Sequence, residues 1–190
     1  MNNMTKCFLV MGTLVAGTFH HGWAIQDHFS RNGEWLILAA LKGDSATVDR
    51  LLKIGIDVNA QDDWNVTALM DASYGGHAEI VRMLLAARGT KVNTQDRWNE
   101  TALMKASSKG HTEVVRILID ADADIALTNN EGKTALDLAR ANGNIEIVKL
   151  LENIIAVKTR IKEIAADEWQ DLPLEVRDAY IMPFLDPDQK

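Results

Sequence analysis

Three stretches of this chain are near copies of one another, and that self-similarity narrows the choice of fold more than any other feature. Thr67–Leu85 reads TALMDASYGGHAEIVRMLL, Thr101–Ile119 reads TALMKASSKGHTEVVRILI and Thr134–Leu151 reads TALDLARANGNIEIVKLL, with the threonines 34 and then 33 residues apart. A weaker copy, Trp35–Leu52 (WLILAALKGDSATVDRLL), sets Gly43 33 residues before Gly76. The linkers repeat as well: Asp57–Asp62 (DVNAQD), Lys91–Asp96 (KVNTQD) and Asp124–Asn129 (DIALTN), and one additional residue near Arg88-Gly89 accounts for the longer spacing.

Each unit can be read physically. Thr67 stands where its hydroxyl can accept an orphan amide at the start of a short helix, Ala68 to Tyr74. Gly75-Gly76 ends that helix, and Gly110 and Gly143 repeat the break where a left-handed residue is wanted. Ile80, Val81, Leu84 and Leu85 then form one stripe at helical spacing, repeated by Val114, Val115, Leu118 and Ile119 and by Ile147, Val148 and Leu151. The Val-Asn-x-Gln-Asp stretch is expected to be extended and to end in a turn. Asn65, Asn99 and Gly132 hold equivalent turn positions and are all types that tolerate positive φ. One such unit buries too few apolar side chains to offset the entropy of ordering its backbone, so the units must stack and share a core.

These segments resemble ankyrin repeats. The family's Thr-Pro-Leu-His opening appears as Thr67–Met70, Thr101–Met104 and Thr134–Asp137; its Gly-His pair as Gly76-His77 and Gly110-His111; its Val-Val and Leu-Leu pairs as Ile80-Val81 and Leu84-Leu85; its Ala-Asp-Val-Asn element as Ile56–Asn59. The resemblance covers about residues 31–153. It implies an all-α ankyrin-repeat solenoid of about four helix-turn-helix units with hairpin loops (33–65, 66–99, 100–132 and 133–153), plus C-terminal helices. It further implies that the chain binds another protein and performs no chemistry, with no cofactor, and a monomer is expected.

In such a stack, turn tips and first helices line one surface. Trp64 and Trp98 fall at the same turn position in neighbouring units, with Arg31 and Glu131 at the outer ones. Either the two indoles form an exposed binding patch, since tryptophan is enriched at hot spots, or each folds down over its own hairpin. Asp71 and Lys105 occupy matching first-helix positions, as do Tyr74 and Ser108, and such variation between near-identical units suits a recognition face and a solvated face equally. Trp64, Trp98, Asp71, Tyr74 and Lys105 are therefore the candidate contacts.

Chemical readings find little support. Asp120, Asp122, Asp124 and Glu131 match positions 1, 3, 5 and 12 of a calcium-binding loop, but position 6 is Ile125, where the sharp turn requires glycine. His77 and His111 recur at one structural site, which points to turn hydrogen bonding rather than a catalytic pair. His20 and His21 have no third ligand nearby. No Gly-rich phosphate loop or nucleophile in a recognisable setting occurs, so neither a catalytic nor a metal site is assigned. With 27 acidic against 20 basic residues and a net charge of −7, nucleic acid is not expected as a partner. Cys7 is the only cysteine, so no internal disulfide can form.

The ends differ from the repeats. Residues 1–24 combine Lys6, the uncharged apolar run Cys7–Gly17 and a small-residue exit, which reads as a secretory signal peptide. The run is well short of the roughly 20 residues needed to cross a bilayer. Secretion or delivery to a periplasm after cleavage is expected, with a membrane-anchored chain as the alternative. All three prolines lie beyond the repeats, at Pro173, Pro183 and Pro187, so the last helix should run on to about Ala166 and cap the stack. In the extension, 154–190, the segment 169–187 resembles the first helix of an F-box through Leu172-Pro173, Glu175, Ile181, Phe184-Leu185 and Asp186-Pro187. That resemblance implies docking on the adaptor of a cullin-type ubiquitin ligase; a simple C-terminal cap is the other reading.

Overall fold

The computed structural model describes residues 32–170, with side chains from 33 to 160. Eight helices occupy the described residues: α1 (Asn32–Lys42), α2 (Ser45–Lys53), α3 (Ala68–Gly75), α4 (Ala78–Ala86), α5 (Ala102–Lys109), α6 (Thr112–Asp120), α7 (Ala135–Ala141) and α8 (Ile145–Gln170). Among those residues β-pairing amounts to one isolated antiparallel bridge, Gln61 with Thr67. The fold is the all-α repeat solenoid read from the sequence. Contacts divide the chain after Val148, within α8.

The caps follow the sequence. Thr67 Oγ1 accepts from the Met70 amide and Thr101 Oγ1 from Met104, each at 3.3 Å. Thr134 forms a full capping box with Asp137, whose carboxylate accepts from the Thr134 amide at 3.0 Å. That bonding, led by the Thr134 hydroxyl, holds the Asp137 carboxyl below its ordinary range. The turn tips at Asn65, Asn99 and Gly132 have φ of 61°, 57° and 72°, as their residue types allow.

The first helices α1, α3, α5 and α7 pack side by side, and α2, α4 and α6 form a second row against them. Small residues at the contacts of the first row (Ala40, Ala72, Ala106 and Ala139, all fully buried) let the helix backbones approach closely. Leu36, Leu69, Met70, Leu103 and Met104 then interleave with Val48, Ile80, Val81, Leu84, Val114, Val115, Leu118 and Ile147 in one continuous interior. Leu85, Ile119 and Val148 of the expected stripes lie at its margin.

Polar clasps join successive units. His77 Nε2 lies 3.2 Å from the Leu41 carbonyl and His111 Nε2 lies 3.0 Å from that of Tyr74. Asn144 takes the same role one unit on, donating to the Ser107 and Ser108 carbonyls at 2.7 and 3.1 Å. The recurrent histidines thus form the hydrogen bonds expected of them, and their partners belong to the preceding unit. The left-handed glycine before each is doubly required: at Gly76, φ is 74° and a Cβ would sit 2.6 Å from the His111 ring.

The linkers correct one expectation. Val58-Asn59 is not extended but forms a tight turn, because Asp57 captures it: its Oδ1 accepts from the Asn59 amide at 2.9 Å and its carbonyl accepts from Ala60 at 3.2 Å. The turn frees the Asn59 side chain to clasp the next unit, donating to the Gly89 carbonyl and accepting from the Lys91 amide, both at 2.8 Å. The additional residue is absorbed at Ala87, whose backbone is extended where Ile54 is helical. The Leu84 carbonyl accepts from the Ala87 amide at 3.2 Å and from the Thr90 hydroxyl at 2.6 Å.

After Val148, α8 continues to Gln170, four residues beyond the expected end, as one 26-residue helix. Ile155 and Val157 on it are exposed. Among the described residues the extension is this single helix, and the rest of the expected C-terminal helices fall outside them. Residues 1–24, Arg31 and the F-box-like contacts Leu172, Pro173, Glu175, Ile181 and Leu185 lie outside the described residues.

Candidate protein-binding face

Each of the three described hairpin tips is built around one side chain. Asp62 Oδ1 accepts from the Trp64 and Val66 amides at 2.9 and 2.8 Å, and Asp96 Oδ1 accepts from Trp98 and Glu100 at 2.9 and 2.8 Å. Asn129 does the same for Glu131 and Lys133, both at 3.0 Å. This bonding fixes the turn and aims the tip residue outward. Successive tips are tied backbone to backbone: Arg97 N–H donates to the Trp64 carbonyl at 3.0 Å and Asn130 N–H to that of Trp98 at 2.9 Å. Gln95 braces the row by donating to the Asn99 and Thr128 carbonyls at 2.8 and 3.3 Å.

On this row the Trp64 and Trp98 indoles remain 54% and 52% exposed. Neither is folded away over its hairpin. Tyr74 on α3 is also exposed, with the Lys109 ammonium 4.5 Å from its ring centroid.

Asp71 and Lys105, matched in sequence, have unlike surroundings. The Lys105 ammonium lies 2.7 Å from Asp96 Oδ2, 3.1 Å from Glu100 Oε2 and 6.0 Å from the Trp98 ring centroid. Its side chain is mostly buried and that of Asp96 wholly so. The approach to Asp96 is an ion pair rather than a well-aligned hydrogen bond. Burial alone would lower the lysine's pKa; Asp96 and then Glu100 outweigh it and raise it. Lys105 is therefore an internal brace between α5 and its hairpin. Asp71 is half-buried, and burial first, then the neighbouring Asp62 charge, pushes its carboxyl up to about 6.

Sequence reasoning missed Leu38 and Leu41 on α1, which are 40% and 44% exposed. The 33-residue register from Gly43 to Gly76 places them at the Asp71 and Tyr74 positions, so the signal was present in the weakest copy. Asp62 was also missed as a member of the face. Among the described residues no cluster of three or more potential metal ligands occurs, and no helix is long and apolar enough to cross a membrane.

Comparison with known proteins agrees with this architecture. The chain matches the family described as Ankyrin repeats (3 copies) over three overlapping stretches, residues 11–96, 36–128 and 85–161. It is similar to the potassium channel GORK of Arabidopsis thaliana, at 28% identity over 153 residues, covering 80% of this chain and 14% of the channel. It is also similar to Ankyrin repeat domain-containing protein 29 of Danio rerio, at 50% identity over 48 residues, covering 25% of this chain and 16% of that protein. The matches thus span about a seventh of each relative.

Proposed function

The chain belongs to the ankyrin-repeat family, and from that premise we propose that its hairpin tips and first helices grip a partner protein, with Trp64 and Trp98 as the central contacts. Repeats of this family generally bind other proteins, and their fold serves interaction, not catalysis. The observation that carries the assignment is the pair of half-exposed indoles on adjacent, backbone-linked tips. Hydrogen bonds fix the backbone of both tips before any partner arrives, and aromatic side chains are the kind of group that dominates interface energies. Tyr74, Leu38 and Leu41 extend the apolar part of the face; Asp71 and Lys105 supply charge.

The test is affinity capture with the chain as bait, followed by titration of the captured partner. Trp64→Ala with Trp98→Ala should weaken binding at least tenfold while leaving thermal unfolding nearly unchanged. Unaltered affinity would refute the assignment, and a large fall in melting temperature would mean that the indoles serve packing.

Export belongs to the same reading and is supported by Lys6 and the apolar Cys7–Gly17 run; the mass of the chain recovered outside producing cells decides between cleavage near residue 24 and a retained anchor. A second reading, favoured by the Leu172-Pro173-x-Glu175 match, is that the repeats select a substrate and the tail recruits a ubiquitin ligase. A pull-down with the ligase adaptor tests it: binding lost on Leu172→Ala with Ile181→Ala supports it, and no binding removes it.

A further inference from the structure

Units two and three are built on the same backbone, yet they differ at the point where the first helix meets the hairpin. In unit three a cation is built in: the Lys105 ammonium stands against Asp96 and Glu100 with the Trp98 indole beside it. In unit two the matching hairpin carboxylate, Asp62, and the matching indole, Trp64, are present in the same turn. The first-helix position opposite them holds Asp71, a second carboxylate, where unit three holds the lysine. The cation whose field Asp71 feels is Lys105, and that ammonium is already engaged by Asp96 and Glu100.

We propose that Asp62 and Asp71, in the unit that carries Trp64, receive a lysine or arginine side chain of the partner, which takes the place in unit two that Lys105 fills in unit three. This rests on the binding face argued above and specifies its chemistry: the partner presents a basic residue to the tip of unit two. Charge complementarity supports the choice, since two half-buried carboxylates close together are an unfavourable arrangement that one cation relieves. Trp64, more than half exposed, offers a ring face on which an alkylammonium stem or a guanidinium can lie. Burial first and the Asp62 charge second raise the pKa of Asp71, and the field of Lys105 offsets them only in part.

The test uses the full chain and a small probe, so it does not depend on finding the partner. N-acetyl-arginine methylamide is titrated at pH 7.5, with the uncharged citrulline analogue as control, while the indole N–H resonances of Trp64 and Trp98 are followed by NMR. The expected result is a saturable shift at Trp64 with arginine and none with citrulline, and a Kd at least fivefold weaker in Asp71→Asn. Asp71→Lys, which installs the unit-three arrangement, should abolish the response. Conversely, Lys105→Met should make the Trp98 resonance responsive, because Asp96 and Glu100 then face the same need. Equal shifts with citrulline, or an arginine response unchanged by Asp71→Asn, would overturn the proposal. The binding face as a whole is judged separately by the tryptophan double variant, so the two ideas can fail independently.

Discussion

Asp71 carries a stability cost that depends on pH, and its size follows from the structure. Its carboxyl ionises near 3.8 in an ordinary setting and at about 6 in the folded chain, so the folded state holds the proton more tightly than the unfolded one. The contribution from this group is therefore fully present below 3.8 and is lost as pH rises through 6. At full value such a shift corresponds to about 3 kcal/mol. Water reaches much of the carboxyl, so about 1–1.5 kcal/mol is the working figure after screening. Asp71→Asn removes the titration while nearly keeping the shape. Whatever constant effect the amide has cancels when the variant is compared with the parent at two pH values. Urea unfolding at pH 7.5 and pH 4.5 should show the variant gaining about 1 kcal/mol more, relative to parent, at the higher pH. A difference independent of pH, or one of opposite sign, would show that Asp71 is not held in the strained ionised state argued here.

Four further outcomes are expected. Lys105→Met should cost about 2–4 kcal/mol in chemical unfolding, because it strands the buried Asp96 carboxylate, and adding Asp96→Asn should recover part of the loss. Gly76→Ala should lower stability by clearly more than Gly89→Ala: both have positive φ, but only at Gly76 does the added methyl strike the His111 ring, so about 1 kcal/mol separates them at least. Ser73→Ala and Ser107→Ala should each be neutral or stabilising by up to about 1 kcal/mol, since their buried hydroxyls have no partner and alanine already fits the matching position of unit one at Ala40. Trp64→Ala with Trp98→Ala should shift the unfolding midpoint by less than about 1 kcal/mol, as expected for side chains that are largely in solvent.

Which features were legible in the sequence follows from how local their causes are. The threonine caps, the left-handed Gly76 and Gly110, and the positive φ of Asn65 and Asn99 depend on a few neighbouring residues, and all can be read directly. The stacked interior follows from the repeat itself. The clasps are harder, because their partners lie about one repeat length away: His77 with Leu41, Asn59 with Gly89 and Lys91. Val58-Asn59 reads as extended by residue type, and only the Asp57 side chain bends it. The face divides in the same way. The matched tryptophans mark it, but whether Lys105 points to a partner or to Asp96 depends on how closely α5 approaches its hairpin, which no local pattern encodes. Leu38 and Leu41 were hidden by the divergence of the first copy.

The account stands on neighbouring units sharing one interior that holds the tips in a fixed row. Native-state hydrogen exchange measures this directly. The buried amides of α3, α4, α5 and α6 should exchange with one common free energy, equal to that of global unfolding, and Leu84→Ala in unit two should lower the protection of α5 and α6 as much as that of α3 and α4. Separate free energies for each unit, or a loss of protection confined to α3 and α4, would contradict a shared core and the rigid face built on it.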